Sequence, residues 1–117
     1  MRLTEVRYGD GTPIDGYGPG FFRVGGTVHE GAVLVLPGSV TSWQGYDAHD
    51  PIAGAAERID VILVGTGAEI GPIPEPFRAK IEAAGIGIEI MASAAACRTY
   101  NVLLGEGRRI GAALLPV

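Results

Sequence analysis

The spacing of apolar positions divides the chain into two halves of different character. Up to about Gln44 the apolar residues come in short runs cut by glycine. Leu3, Val6 and Tyr8 begin a strand-like stretch. Gly9-Asp-Gly-Thr-Pro13 and Gly16-Tyr-Gly-Pro-Gly20 are turn-rich, with glycine supplying positive φ and proline fixing φ. Phe21–Val24 and Thr27–Glu30 flank Gly25-Gly26, a pair suited to a two-residue primed turn, so a hairpin is predicted. Residues 32–36 are wholly apolar and stop at Pro37-Gly38, and Ser39-Val-Thr-Ser-Trp43 alternates as a half-buried strand does. This half reads as antiparallel β-structure.

From Pro51 onward the period alternates between helix and strand. Residues 51–58 make one or two helical turns, and Asp60-Val-Ile-Leu-Val64 is a buried strand. Phe77, Ile81 and Ala84 fall at helical spacing over residues 75–84, with Gly85 as the stop. A strand over residues 86–90 follows, then a helix with Ser93 as its N-cap, then a closing strand over Ile110–Leu115. Strand, helix, strand, helix, strand is the signature of βαβ units, whose crossovers are right-handed almost without exception. The pattern predicts an α/β fold: a mixed, mostly parallel sheet from the second half and a small antiparallel β-sheet from the first. With no internal repeat, low-complexity tract or linker, residues 1–117 form one domain.

Composition narrows the classes of function. Apolar residues at 47% and charged residues at 19% describe a chain of 117 residues that folds on its own core. A net charge of −4 argues against a nucleic-acid partner, which needs a concentrated basic face. Arg108-Arg109 beside Glu106 is the nearest basic cluster and reads as a solvated turn. The single cysteine, Cys97, excludes an internal disulfide or a cysteine-based zinc site within one chain and fits a reducing compartment. Met1-Arg-Leu-Thr-Glu-Val-Arg-Tyr8 lacks the apolar core of a signal peptide, and no apolar run approaches the roughly 20 residues of a membrane span. A soluble, cytoplasmic protein is expected. No motif asks for a cofactor.

Open parallel sheets bind ligands at the carboxyl ends of their strands, where strand order reverses. Two loops leave such ends here: Gly65-Thr66-Gly67 and Met91-Ala-Ser93. If their strands are neighbours, the loops face each other, and free N–H groups there hold an anion; the other reading is that the glycines only permit a tight turn. The spacing is neither a dinucleotide fingerprint nor a P-loop. On the following helix Arg98, Thr99, Tyr100 and Asn101 form a polar patch in an apolar run. Ala96, Tyr100 and Leu103 or Leu104 make the stripe that packs on the sheet, with Arg98 and Asn101 on its flank. The Arg98 guanidinium either grips a carboxylate or phosphate near Gly65-Thr66-Gly67 or satisfies protein groups such as Asp60 or Glu89.

Other candidates are weaker. Cys97 lies near the helix start, where the dipole and Arg98 would depress its pKa into a reactive thiolate, yet neither His29 nor His49 is placed beside it as a base. A buried apolar role competes with that one. Asp47-Ala-His-Asp50 offers metal-type ligands but too few of them, and Asp50 before Pro51 is a natural helix cap, so no metal site is expected. Trp43 and Tyr46 pack at the seam of the two halves or form a partner surface. No paired-carboxylate, nucleophile-elbow or Ser/His/Asp motif is present, and no catalytic residue is assigned.

Gly31-Ala-Val-Leu-Val-Leu-Pro-Gly-Ser-Val-Thr-Ser-Trp43, the strand ending in Gly65-Thr-Gly67, and Ala95-Ala-Cys-Arg-Thr-Tyr-Asn-Val-Leu-Leu-Gly-Glu-Gly-Arg-Arg-Ile-Gly-Ala-Ala-Leu-Leu115 resemble the small Mth-type uncharacterised domain family. That family includes an adipogenesis-associated Mth-domain protein and a mitochondrial factor for assembly of respiratory complex I. The resemblance covers essentially the whole chain and implies a three-layer α/β fold with an additional small β-sheet. Arg98, Thr99, Tyr100 and Asn101 match the family string position by position. Ala92 stands where the family often carries an acidic residue at the helix start. For function, the resemblance implies a non-enzymatic protein-binding or assembly module with an unidentified protein partner. The alternative is a small-molecule or anion-binding protein with its cleft between Gly65-Thr66-Gly67 and helix 93–101. Residues 27–36 leave a strand edge for homo-oligomer pairing.

Overall fold

The Gly25-Gly26 pair sits at φ of 56° and 83°, and this left-handed turn closes the predicted hairpin. It joins strands β2 (Phe21–Val24) and β3 (Thr27–Glu30), and with β1 (Ile14–Gly18) they form an antiparallel sheet in the order β1-β2-β3. The computed structural model describes residues 11–117, so the strand expected at Leu3, Val6 and Tyr8 lies outside the described residues.

The larger sheet contains β4 (Val33–Leu36), β5 (Ser39–Ser42), β6 (Val61–Thr66), β7 (Gly87–Met91) and β8 (Ile110–Leu115), in the order β5-β4-β8-β6-β7. β6 pairs in parallel with β7 and β8, whereas β4 is antiparallel to both β8 and β5. Every strand but β4 therefore points the same way, and the sheet is mixed as expected.

Three helices complete the described chain: α1 (Asp50–Ala53), α2 (Glu75–Ala83) and α3 (Ser93–Gly105). Alternation along the strands sends side chains to two separate cores. Leu63, Val33, Val35, Ala112 and Leu114 meet Ala96, Tyr100 and Leu104 of α3 together with Phe22 and Val24 of the small sheet. Ile62, Val64, Leu34, Leu36 and Ala113 meet Ile52, Phe77 and Ile81 on the other face. This gives three layers: α3 with the small sheet, the five-stranded sheet, and α1 with α2.

Three local readings change. The helix expected over residues 51–58 is the single turn α1 followed by further turns, and Asp50 lies inside its first turn behind His49 instead of capping it. β6 runs on to Thr66 and β7 to Met91, because Gly65 is in register with both Met91 and Leu114. Ser93 is the first residue of α3, not its cap; Ala92 takes that position in extended conformation without a side-chain bond.

Candidate functional site

β6 leads to α2 on one face of the sheet, and its neighbour β7 leads to α3 on the other. The carboxyl ends of these two strands are thus the place where an open α/β sheet ordinarily leaves a crevice. Here the crevice is stitched shut. The Ser93 hydroxyl is fully buried, donates to the Leu115 carbonyl (2.5 Å) and accepts the Gly67 N–H (2.9 Å). The Ser93 N–H donates to the Gly67 carbonyl (2.9 Å). The Thr66 hydroxyl donates to the Glu69 carbonyl (2.7 Å) and accepts the Gly71 N–H (3.0 Å). Gly65 makes this closeness feasible, since a Cβ there would stand 2.9 Å from the Ser93 Cα. The structure thus brings Gly65, Thr66, Gly67 and Ser93 together; Gly67 and Ser93 bond to each other, and the two hydroxyls are otherwise satisfied by Leu115, Glu69 and Gly71.

The polar string on α3 divides. Asn101 acts as a strand edge toward β1: its Nδ2 donates to the Ile14 carbonyl (2.7 Å) and its Oδ1 accepts the Ile14 N–H (2.8 Å). Tyr100 is wholly buried under the small sheet, and its hydroxyl donates to the Thr12 carbonyl (3.1 Å). Burial pushes that hydroxyl up to about 12. Arg98 is exposed and Thr99 half-buried, and neither side chain makes a hydrogen bond or ion pair among the described residues. From Ser93 to Asn101 the helix rises about 12 Å, so the Asn101 clamp and the Ser93 network are separate structures.

Of the two readings of Cys97, the environment is that of the buried apolar one. Its side chain is 3% exposed, and desolvation pushes the thiol up to about 11, outweighing the Arg98 charge that pulls it down. Trp43 is likewise interior. Its ring lies 5.5 Å from Tyr46 and 6.0 Å from Phe77 between centroids, and its Nε1 donates to the Ala48 carbonyl (3.1 Å). Only Tyr46 of the pair retains partial exposure, and burial raises its hydroxyl pKa. In the Asp47-Ala-His-Asp50 stretch His49 Nδ1 stands 3.0 Å from Asp50 Oδ1, and among the described residues no three His, Cys, Asp or Glu side chains gather as metal ligands do.

Sequence patterning missed a cavity of about 500 Å³ at the other end of the sheet, where Arg58, Arg108 and Arg109 meet over Leu104 and Ile110. The only signal for it was the Arg108-Arg109 pair.

A family model described as a protein of unknown function (DUF498/DUF598) matches residues 14–115. The chain belongs to this family. Among DUF498/DUF598 relatives, an uncharacterized protein of Rhodobacter capsulatus is 45% identical over 117 residues, covering all of this chain and 94% of its own length. NADH dehydrogenase [ubiquinone] 1 alpha subcomplex assembly factor 3 of Rattus norvegicus is 32% identical over 124 residues, covering 99% of this chain. The chain spans 66% of that factor's length and 60% of its Homo sapiens counterpart.

Solved structures of the same fold include an outer membrane protein from Bartonella henselae, 32% identical with a TM-score of 0.84, covering 95% of this chain and 99% of its own. They also include a Bordetella pertussis Mth938-like domain, 29% identical with a TM-score of 0.80, covering 99% of this chain and 92% of its own. The Mth-type resemblance carried by residues 31–43 and 95–115 is thereby established, as is the mixed α/β fold with its small antiparallel sheet. No helix among the described residues is long and apolar enough to cross a membrane.

Proposed function

We propose that this chain is a non-enzymatic protein-binding module that helps to build a larger complex, with respiratory complex I as the target. The observation that carries this reading is the 32% identity to assembly factor 3, which extends over 99% of the chain. The chemistry on the page supports it. At the carboxyl ends of β6 and β7 the Ser93 hydroxyl and the Gly67 N–H spend their bonding capacity on each other and on Leu115. Tyr100 and Asn101 spend theirs on Thr12 and Ile14. Apart from Arg98 and Thr99, whose side chains bond to none of the described residues, the polar side chains of the candidate cleft hold the fold together, and the one cysteine is buried with a raised pKa. Activity then resides in the surface presented to a protein partner. A cytoplasmic site of action fits the free thiol.

Deleting the gene in its natural host tests this directly. Native gel electrophoresis of the membranes is expected to show a several-fold loss of assembled complex I and accumulation of smaller subassemblies. An undiminished complex with normal NADH:ubiquinone oxidoreductase activity would overturn the reading.

A further inference from the structure

At the end of the sheet opposite the sealed strand ends, the β4–β5 hairpin tip, the turns after α1 and the α3–β8 turn surround the cavity of about 500 Å³. This volume lies within the range of about 300–1,000 Å³ over which protein pockets take ligands. Leu104, Ile110 and Pro37 give it an apolar floor, and Arg58, Arg108 and Arg109 surround that floor. Three guanidinium groups, one from the turns after α1 and two adjacent ones from the α3–β8 turn, line one cavity in a chain of net charge −4.

Protein carbonyls orient two of these groups without neutralising either. Arg58 donates through Nη1 to the Pro37 carbonyl (2.6 Å), and Arg109 through Nη2 to the Glu57 carbonyl (2.9 Å). Arg109 also stands 3.5 Å from Asp60 Oδ1, but both side chains are more than half exposed, and such pairs contribute little. Among the described residues no carboxylate lies within ion-pair distance of Arg58 or Arg108. Among the described residues Glu57 is the one acidic residue lining the cavity. A guanidinium carries five donors in a fixed fork, so one bond to a carbonyl leaves the group held in place with its remaining donors free for an acid.

We propose that this cavity binds an acidic segment of a partner polypeptide. An apolar side chain of that segment seats against Pro37 and the accessible edge of Leu104, and flanking Asp or Glu carboxylates meet Arg58 and Arg108. That the occupant is a protein rests on the assembly reading; that it is acidic with an apolar anchor rests on the cavity itself.

The test is a fluorescence anisotropy titration of the full chain with labelled hexapeptides. Glu-Asp-Leu-Phe-Glu-Asp is expected to bind at least about tenfold more tightly than Gln-Asn-Leu-Phe-Gln-Asn or Glu-Asp-Ser-Ser-Glu-Asp, a difference on the scale of one charge-assisted bond or one buried side chain. Arg108→Glu should weaken the first peptide by at least about tenfold, and Arg78→Gln, on the surface of α2, should leave it unchanged. Arg108 makes no side-chain bond among the described residues, so Arg108→Glu keeps its thermal midpoint, measured alongside. Equal affinity for the three peptides, or binding indifferent to Arg108→Glu, would overturn the proposal. In the deletion strain, Arg108→Glu is expected to restore less complex I than the wild-type chain. Full restoration by the variant overturns this proposal and leaves the assembly reading standing. Undiminished complex I in the deletion strain itself overturns the assembly reading, and the titration then decides the cavity alone.

Discussion

Replacing Gly65 with alanine places a methyl group where the first turn of α3 already lies. The added Cβ would stand 2.7 Å from Ser93 Oγ and 2.9 Å from both Ser93 Cα and Leu114 Cδ2. Carbon atoms in contact sit about 3.5–4.0 Å apart, so each of the two carbon contacts must open by roughly 0.6–1.1 Å. The Leu114 methyl can rotate aside. The Ser93 Cα is backbone, so α3 itself has to shift, straining the bonds from Ser93 to Gly67 and Leu115. Overpacking of this kind costs about 1–3 kcal/mol, and weakening one buried hydrogen bond adds about 1 kcal/mol. Stiffening the unfolded chain returns about 0.4–1 kcal/mol. The net expectation is a loss of about 2 kcal/mol. Urea unfolding followed by the fluorescence of Trp43, the single tryptophan and only 5% exposed, reads this out. With a urea slope of about 1–2 kcal/mol/M, the midpoint should fall by roughly 1–2 M. A loss below about 0.5 kcal/mol would show that α3 does not press on β6 as described.

Asn101→Ala should cost about 2 kcal/mol by leaving the Ile14 N–H and carbonyl without their partner, and should speed hydrogen exchange at the Ile14 amide measured by NMR. Arg98→Ala should change stability by less than about 0.5 kcal/mol in the same urea assay, since the side chain is exposed and bonds to none of the described residues. Cys97 should resist iodoacetamide at pH 8 in the native chain and react once urea unfolds it, because its thiol is held at about 11 against an ordinary 9.0. The same shift makes stability fall as pH rises between those two values. There the unfolded thiol has given up its proton and the native one has not, so unfolding is favoured; Cys97→Ala should flatten that slope in alkaline unfolding curves.

Local patterning carried most of the architecture. The Gly25-Gly26 turn, the βαβ succession and the stripe Ala96, Tyr100, Leu104 are all set by residues within a turn or two of one another, and the structure keeps each. At the candidate site the meeting of the two strand ends was legible, and the bonding that fills them was not. Ser93 satisfies every local rule for a helix cap, yet its hydroxyl is claimed by Gly67, 26 residues earlier, and Leu115, 22 residues later. Asn101 reaches 87 residues back to Ile14, a pairing that no spacing rule anticipates. Arg98 and Asn101 share a flank by helical geometry but not a neighbour, because β1 passes only one of them. For Cys97 both the nearby charge and a buried apolar role were visible in the sequence, and only the structure weighs them, with burial outweighing the Arg98 charge. The arginine cavity depends on strand order: pairing β8 between β4 and β6 is what carries Arg108 and Arg109 to Arg58.

Whether the ends of β6 and β7 are sealed in solution decides between a binding scaffold and a ligand cleft, and amide hydrogen exchange at Gly67 and Ser93 measures it. Both N–H groups donate across the strand ends, one to the buried Ser93 hydroxyl and the other to the Gly67 carbonyl. Sealed ends predict slow exchange at both, with opening free energies close to that of global unfolding. Exchange at the rate of an unprotected amide, with the rest of the sheet still protected, would mean that the crevice stands open and that its polar groups are free to meet a ligand.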